Sequence, residues 1–235
     1  METLFNGICI YEQAGFPLGT DSVLLAQFLS LPKEARIADL GSGCGTLGLL
    51  LCARDKSCRV TGIELNAASH AAALENIRKN DLADRLSSLS GDVRNIAELL
   101  PAGSFDCVIS NPPYFPAGSG KLSEKNSFAR SEKTLTLPQL CKSAAYLLPS
   151  GGRFALVHRP ERLCDVFCAM REAGIEPKRI QPVRHKEHSP LCLVLIEGRR
   201  GGKPGLKFEP DFIEFTPDGK ETNSYRAAYG RGDML

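Results

Sequence analysis

Four consecutive residues near the middle of the chain, Asn111-Pro112-Pro113-Tyr114, combine a side-chain amide, two prolines without N–H donors and an aromatic ring. They follow the mostly apolar run Phe105-Asp106-Cys107-Val108-Ile109-Ser110, which reads as a short buried strand. The tetrapeptide then occupies the loop at the carboxyl end of that strand, the edge at which open α/β sheets bind ligands. A proline removes a donor but keeps its carbonyl, and it pushes the residue before it into an extended backbone. The loop is therefore stiff, with the Asn111 amide oxygen and the Pro112 carbonyl as fixed acceptors beside the Tyr114 ring. A planar base with an amino group needs this: two acceptors for its two N–H bonds and a face to stack on. By itself the tetrapeptide could equally end a strand with a packed tyrosine, so its surroundings decide.

A second constellation lies upstream. Gly43-Cys44-Gly45-Thr46-Leu47-Gly48 satisfies G-x-G-x-x-G, and Glu64 follows about twenty residues after its start, as in dinucleotide sites. The residue that separates the possibilities is Asp39, just before Gly41. A carboxylate there repels a pyrophosphate and attracts a ligand carrying an ammonium and a sulfonium. Asp39 with Gly41, Gly43 and Gly45 therefore favours S-adenosylmethionine over a nicotinamide. Glu64 can accept from both ribose hydroxyls, and Asp92 is placed to accept from the adenine amine. Any one of these acids could be a solvated loop carboxylate; three at successive strand ends beside a glycine loop point to a cofactor site.

The elements that must position these groups follow from periodicity. Gly15 to Gly19 is a turn, Thr20-Asp21-Ser22 offers N-cap candidates, and Val23, Leu24, Leu25, Phe28 and Leu29 recur at helical spacing before Pro32. Arg36–Leu40, Arg59–Glu64 and Ser87–Ser90 read as strands, interleaved with an apolar helix over Leu47–Ala53 and an Ala-rich helix capped by Asn66 and ending near Asn80. A short helix over Val93–Leu100 precedes the fourth strand. Beyond the proline loop, Pro116 to Thr136 is polar and aperiodic. A helix from Pro138 through Leu148, a strand over Phe154–His158 and a helix over Glu161–Glu172 come next. Ile180–Val183 and Leu191–Glu197 look like a hairpin across Ser189-Pro190. Alternating strands and helices indicate an α/β fold. The expected plan is a Rossmann-like seven-stranded sheet, mostly parallel with one antiparallel strand, with helices on both faces. Many S-adenosylmethionine-dependent methyltransferases use it. We divide the chain into an N-terminal turn and helix packed on the core (1–35), the catalytic domain (36–198) and a basic Gly/Pro-rich C-terminal extension (199–235).

At 235 residues the chain can bury roughly 70–75% of its unfolded surface. It lacks both an apolar run long enough to cross a bilayer and the basic, apolar start of a signal peptide. The nine cysteines are scattered without a C-x-x-C pair, which suggests reduced thiols in a cytoplasmic protein and no metal site. The histidines His158, His185 and His188 show no ligand spacing. The net charge is only +2, but residues 178–207 hold eight Lys/Arg against Glu187 and Glu197, a local +6. For nucleic-acid contact this singles out Arg184, Lys186, Arg199, Arg200, Lys203 and Lys207, together with Lys121, Lys125 and Arg130 in the polar stretch after the proline loop.

Three further stretches narrow the reading: Gly15-Phe16-Pro17-Leu18-Gly19-Thr20-Asp21-Ser22-Val23-Leu24-Leu25-Ala26, Asn126-Ser127-Phe128-Ala129-Arg130-Ser131-Glu132 and Gly202-Lys203-Pro204-Gly205-Leu206-Lys207. With the strand-end acids and the proline loop, they resemble the bacterial tRNA-Val (adenine-N6) methyltransferases over about residues 4 to 215. The resemblance implies methylation of an adenine N6 in the anticodon loop of a valine tRNA. It also implies catalytic roles for Asn111, Pro112 and Tyr114, and cofactor contacts from Gly19, Thr20 and Asn111. The expected partner is tRNA, with no membrane and no obligatory protein partner. Two rivals remain: a protein glutamine N5-methyltransferase, which the same proline loop can serve, and an RNA-binding module that has lost catalysis. Enzymes of the first kind carry a longer helical domain before the core. Retention of Asp39, Glu64, Asp92 and Asn111 together argues against the second.

Overall fold

The structure, a computed structural model, describes residues 2–4, 8–10, 18–112 and 135–231. Ile37, Ala38, Asp39 and Leu40 are all buried, as a strand with neighbours on both edges and helices on both faces requires. This strand, β3 (Arg36–Leu40), pairs in parallel with β4 (Arg59–Glu64) on one side and β6 (Cys107–Ser110) on the other. β5 (Leu86–Ser90) extends the sheet beyond β4, and β7 (Arg153–His158) beyond β6, again in parallel. β9 (Leu191–Arg200) then inserts antiparallel between β7 and β8 (Ile175–Arg184). The core order is β5-β4-β3-β6-β7-β9-β8. The alternating side-chain period splits the strands between two cores: Ile37, Cys107, Ile109, Ala155 and Val157 face one, Ala38, Leu40, Val108, Phe154 and Leu156 the other.

Helices α1 (Thr20–Phe28) and α2 (Thr46–Arg54) cover the first face, and α5 (Leu137–Leu147) with α6 (Leu163–Glu172) covers the second. α3 (Ala67–Lys79) follows β4 and α4 (Ile96–Leu99) follows β5. Asn66 caps α3 by accepting from the Ser69 N–H at 3.0 Å. α5 opens with a reciprocal capping box between Thr136 and Gln139. β1 (Glu2–Leu4) and β2 (Ile8–Ile10) form a separate antiparallel pair. No helix among the described residues is long and apolar enough to cross a membrane.

Three expectations change. The sheet has nine strands, because β10 (Lys207–Phe208) and β11 (Phe212–Ile213) both pair in parallel with the outer side of β8. β8 itself starts at Ile175 and includes Pro177 and Pro182. Only two-residue strands cover its outer side, and prolines are tolerated at such an edge; a register shift between Pro177 and Arg179 takes up Lys178. None of Thr20, Asp21 and Ser22 caps α1. Its N-cap is Gly19, and the helix already includes all three residues. The C-terminal segment also ends on the core: α7 (Asn223–Ala228) packs against α1, and the hydroxyls of Tyr225 and Tyr229 lie 3.3 and 3.0 Å from the Thr20 hydroxyl.

One close approach fixes the loop after β3. Gly62 in β4 lies beside Asp39, and a Cβ there would come within 2.6 Å of the Ser42 Oγ and 2.8 Å of its Cβ. Gly62→Ala should therefore cost about 1–3 kcal/mol by overpacking. Urea unfolding is the measurement, and an unchanged midpoint would show that the Ser42 turn yields freely.

Candidate functional site

The glycine loop folds back on the end of β4. The N–H groups of Gly41 and Ser42 both donate to the Ile63 carbonyl, at 2.9 and 3.1 Å. The Gly45 N–H donates to the Ser42 carbonyl at 2.9 Å, and the Asn76 side chain on α3 donates to the Cys44 carbonyl at 2.9 Å. Gly45, with φ of 83°, forms the left-handed N-cap of α2, a conformation that favours glycine. The Glu64 carboxylate closes the turn from the other side, accepting from the Gly43 N–H at 2.8 Å and the Asn66 N–H at 2.7 Å. The sequence reading passed over Asn76, which lies within the Ala-rich helix after β4.

Asp39 stands at the end of β3 with 1% of its surface exposed, and neither carboxylate oxygen has a hydrogen-bond partner. The Ser42 hydroxyl beside it is buried and likewise without a partner. A buried, unpaired carboxylate is costly. Desolvation, reinforced by the nearby Glu64, pushes the Asp39 carboxyl up to about 8. These two orphaned groups suit a ligand that brings its own cation and donors, which is the chemistry of S-adenosylmethionine.

Asp92 closes the third strand end differently. Its carboxylate caps the following turn through the Arg94 N–H at 2.9 Å and holds the Arg94 guanidinium at 2.5 to 3.0 Å. These bonds keep the Asp92 carboxyl below its ordinary range. Leu65, directly after Glu64, is half exposed and offers an apolar surface that the sequence reading did not single out.

Asn111 follows β6, and its side-chain nitrogen donates to the Ser22 hydroxyl of α1 at 3.0 Å. The opening segment and the proline loop thus meet across 89 residues of sequence. Gly19 and Thr20 start the same helix, so they stand on the Asn111 side of the fold. Pro112 is buried. Tyr114, Lys121, Lys125 and Arg130 lie outside the described residues.

The basic positions separate. Because β9 is reversed, its end lies beside the start of β7: Arg199 pairs with Arg153. Ser110 is in register with Leu156 and Leu156 with Ile196, so Arg199, Arg200 and Lys203 lie towards the edge opposite the Asn111 loop, Arg199 about four residues or roughly 13 Å down the strand axis from it. Arg184 and Lys186 stand at the carboxyl end of β8, the same edge as the site. Several of these cations also have partners within the chain: Arg184 pairs with Asp211 at 2.6 Å and Lys207 with Glu209 at 3.1 Å. Lys186 donates to the Pro217 carbonyl at 3.1 Å, and Arg200 to the Leu148 carbonyl. His158 is fully buried at the end of β7, and desolvation pushes it down to about 4.

Comparison with known proteins agrees with this geometry. Residues 9–172 match the family model for the methyltransferase small domain. A tRNA1(Val) (adenine(37)-N6)-methyltransferase of Dickeya chrysanthemi is 32% identical over 195 residues, covering 82% of this chain and 76% of that protein. A Porphyromonas gingivalis protein of the same name is 31% identical over 190 residues, covering 77% and 74%. Among solved structures, one described as a predicted O-methyltransferase of Agrobacterium tumefaciens superposes with a TM-score of 0.76. It is 23% identical and covers 91% of this chain and 97% of its own, a likeness of fold.

The state of Asp39 has a measurable consequence. Its folded value of about 8 lies above the unfolded value of about 4. Its contribution to the stability of the ligand-free protein is thus complete below pH ~4 and is lost as pH rises through 8. Relative to Asp39→Asn, the wild-type protein should lose stability steadily over that window, read as urea midpoints at several pH values. A difference that stays constant with pH would mean that Asp39 is ionised throughout.

Proposed function

Because the chain belongs to the methyltransferase small-domain family, and within it to the tRNA1(Val) (adenine(37)-N6)-methyltransferases, we propose a division of labour between two loops at one sheet edge. It is an S-adenosylmethionine-dependent tRNA (adenine-N6) methyltransferase; the proposal concerns which residues do what. The observation that carries it is the buried, partnerless carboxylate of Asp39, one strand away from the Asn111 loop.

Asp39 and the glycine loop (Gly41, Gly43, Gly45) would hold the amino-acid end of the cofactor, with Gly19, Thr20 and Asn111 facing it from the α1 side. Glu64 would exchange its bonds to the Gly43 and Asn66 N–H groups for the ribose hydroxyls. Asp92 would accept from the adenine amine alongside Arg94. When bound, S-adenosylmethionine supplies an electrophilic methyl group on a sulfonium.

The target amine is a weak nucleophile because its lone pair is delocalised into the ring. The Asn111 side-chain oxygen and the Pro112 carbonyl would accept its two N–H protons, favour a tetrahedral nitrogen and so expose the lone pair. The Ser22 hydroxyl accepts from the Asn111 nitrogen, an orientation that leaves the amide oxygen on the opposite side. After transfer the surplus proton is held between these two acceptors and passes to water. No strong base is required, and positioning with preorganised acceptors carries the catalysis. Tyr114 would stack on the extruded base, worth about 1–3 kcal/mol. Of the described basic positions named from the sequence, Arg184 and Lys186 are the ones at the site's own edge of the sheet for a tRNA backbone. Arg199, Arg200 and Lys203 would be reached only by a substrate large enough to wrap to the far edge, as tRNA is. The target nucleotide we propose is the adenine 37 of the relatives' name, and the compartment is the cytoplasm.

Single-turnover methyl transfer tests the assignment. Asn111→Ala should lower turnover about 100- to 1,000-fold, as loss of one preorganised hydrogen-bonding group does elsewhere, far more than it lowers cofactor affinity. Ser22→Ala should lower it about tenfold, the value of one lost hydrogen bond. A valine tRNA transcript with guanine in place of adenine 37 should accept no label. Near-normal turnover in Asn111→Ala would overturn the role of the loop, and label on the guanine transcript would overturn the target.

A further inference from the structure

Beyond the transfer site, one cluster of ligating side chains stands at the outer end of the same sheet edge. His185 directly follows β8, Cys192 is the second residue of β9, and Glu214 directly follows β11. One ligating atom from each, an imidazole nitrogen, the thiol sulfur and a carboxylate oxygen, lie within 4.8 Å of one another. We propose that these three side chains form a zinc-binding site, with a water in the fourth position on the solvent side.

Four observations carry this. The backbone brings the three segments together without a metal: the Phe215 N–H donates to the His185 carbonyl at 2.8 Å and the Glu214 N–H to the Arg184 carbonyl at 3.0 Å. The Cys192 thiol donates to the Val183 carbonyl at 3.3 Å. The site therefore needs little ordering on binding. Second, the Glu214 side chain is only 5% exposed, and the partner of its Oε2 is the His185 Nδ1 at 2.5 Å. A dication bound between them would balance the buried carboxylate. Third, one thiolate, one imidazole and one carboxylate form a borderline-soft set that suits Zn2+ and not Mg2+ or Ca2+. Fourth, the His185 side chain is 65% exposed, which leaves a way in and an open position. Ligand atoms around tetrahedral zinc stand about 3.3 Å apart, so the His185–Glu214 pair has to open by less than about 1 Å. Arg159 donates to the backbone carbonyl of Cys192 at 3.2 Å, and Arg184, next to His185 in the chain, pairs with Asp211 at 2.6 Å.

Binding forms Zn–S, Zn–N and Zn–O bonds and releases the Cys192 thiol proton to solvent. It would also lock the segment that leads to α7, since the Thr222 N–H that opens this helix donates to the Glu214 carbonyl at 2.9 Å. Histidine spacing in the sequence gave no sign of the cluster, because its members come from three segments joined only by strand pairing.

The test uses the full chain with Cys164 and Cys168, both exposed, changed to serine to remove competing surface thiols. The protein is stripped with a chelator and titrated with Zn2+ against a chromophoric chelator, then with Co2+ to look for thiolate-to-metal charge transfer. The expected result is one equivalent bound, a cobalt–thiolate band that Cys192→Ser abolishes, and affinity lowered on the order of 100-fold by His185→Ala. His185→Ala removes an exposed ring, so it keeps the test valid if Cys192→Ser fails to fold. No binding by the parent, or equal binding by parent and His185→Ala, would overturn the proposal.

Discussion

A carboxylate kept in the protein interior without a partner governs much of this structure. Asp39 is the last polar residue of the central strand: Gly62 on β4 lies beside it, Ser42 crowds Gly62 from the turn, and β6 pairs on its other side. Without a ligand its desolvation is met by a raised pKa of about 8; in the assignment proposed above, a cationic ligand held by the adjacent loop would balance its charge. The loop geometry serves the same end. Two successive N–H groups on the Ile63 carbonyl and the Glu64 carboxylate on the Gly43 N–H hold the turn open above Asp39.

The second half of the site is assembled from distant parts of the chain. Asn111 belongs to the end of β6, yet its side chain bonds to Ser22 on α1. α1 in turn is held by Tyr225 and Tyr229 near the other end of the chain. The tyrosine rings stack on each other at 4.8 Å, and Phe215 adds a third ring at 5.3 Å from Tyr225. What composition marks as a Gly/Pro-rich extension thus acts as a brace for the opening helix.

The positions of the acids, the glycine loop and Asn111 at the strand ends were legible in the sequence because each is a local signal: a short, nearly continuous apolar run with a polar residue or a glycine loop at its carboxyl end. The strands that carry them, Arg36–Leu40 and Arg59–Glu64, have the same bounds in sequence and structure. What was not legible depends on pairing between remote segments. Arg184 and Arg199 are fifteen positions apart and read as one basic region, but the reversal of β9 puts them at opposite edges of the sheet. Ser22 looked like a capping residue because the Thr-Asp-Ser run fits that role. That it meets Asn111 is decided by how α1 packs on the sheet, which no local pattern encodes. The prolines of β8 hid the length of a strand whose outer side is nearly bare.

The bonds between Thr20 and the two tyrosines span 205 and 209 residues, and β9 enters the sheet between two strands made before it. A chain emerging from the ribosome folds from its N-terminal side at about 5–20 residues per second. The glycine loop and its acids can assemble early, but the helix that bonds to Asn111 stays unbraced until α7 has been synthesised. For roughly ten seconds or more of translation, a nascent chain can hold a nearly formed cofactor pocket while lacking a fixed place for the base.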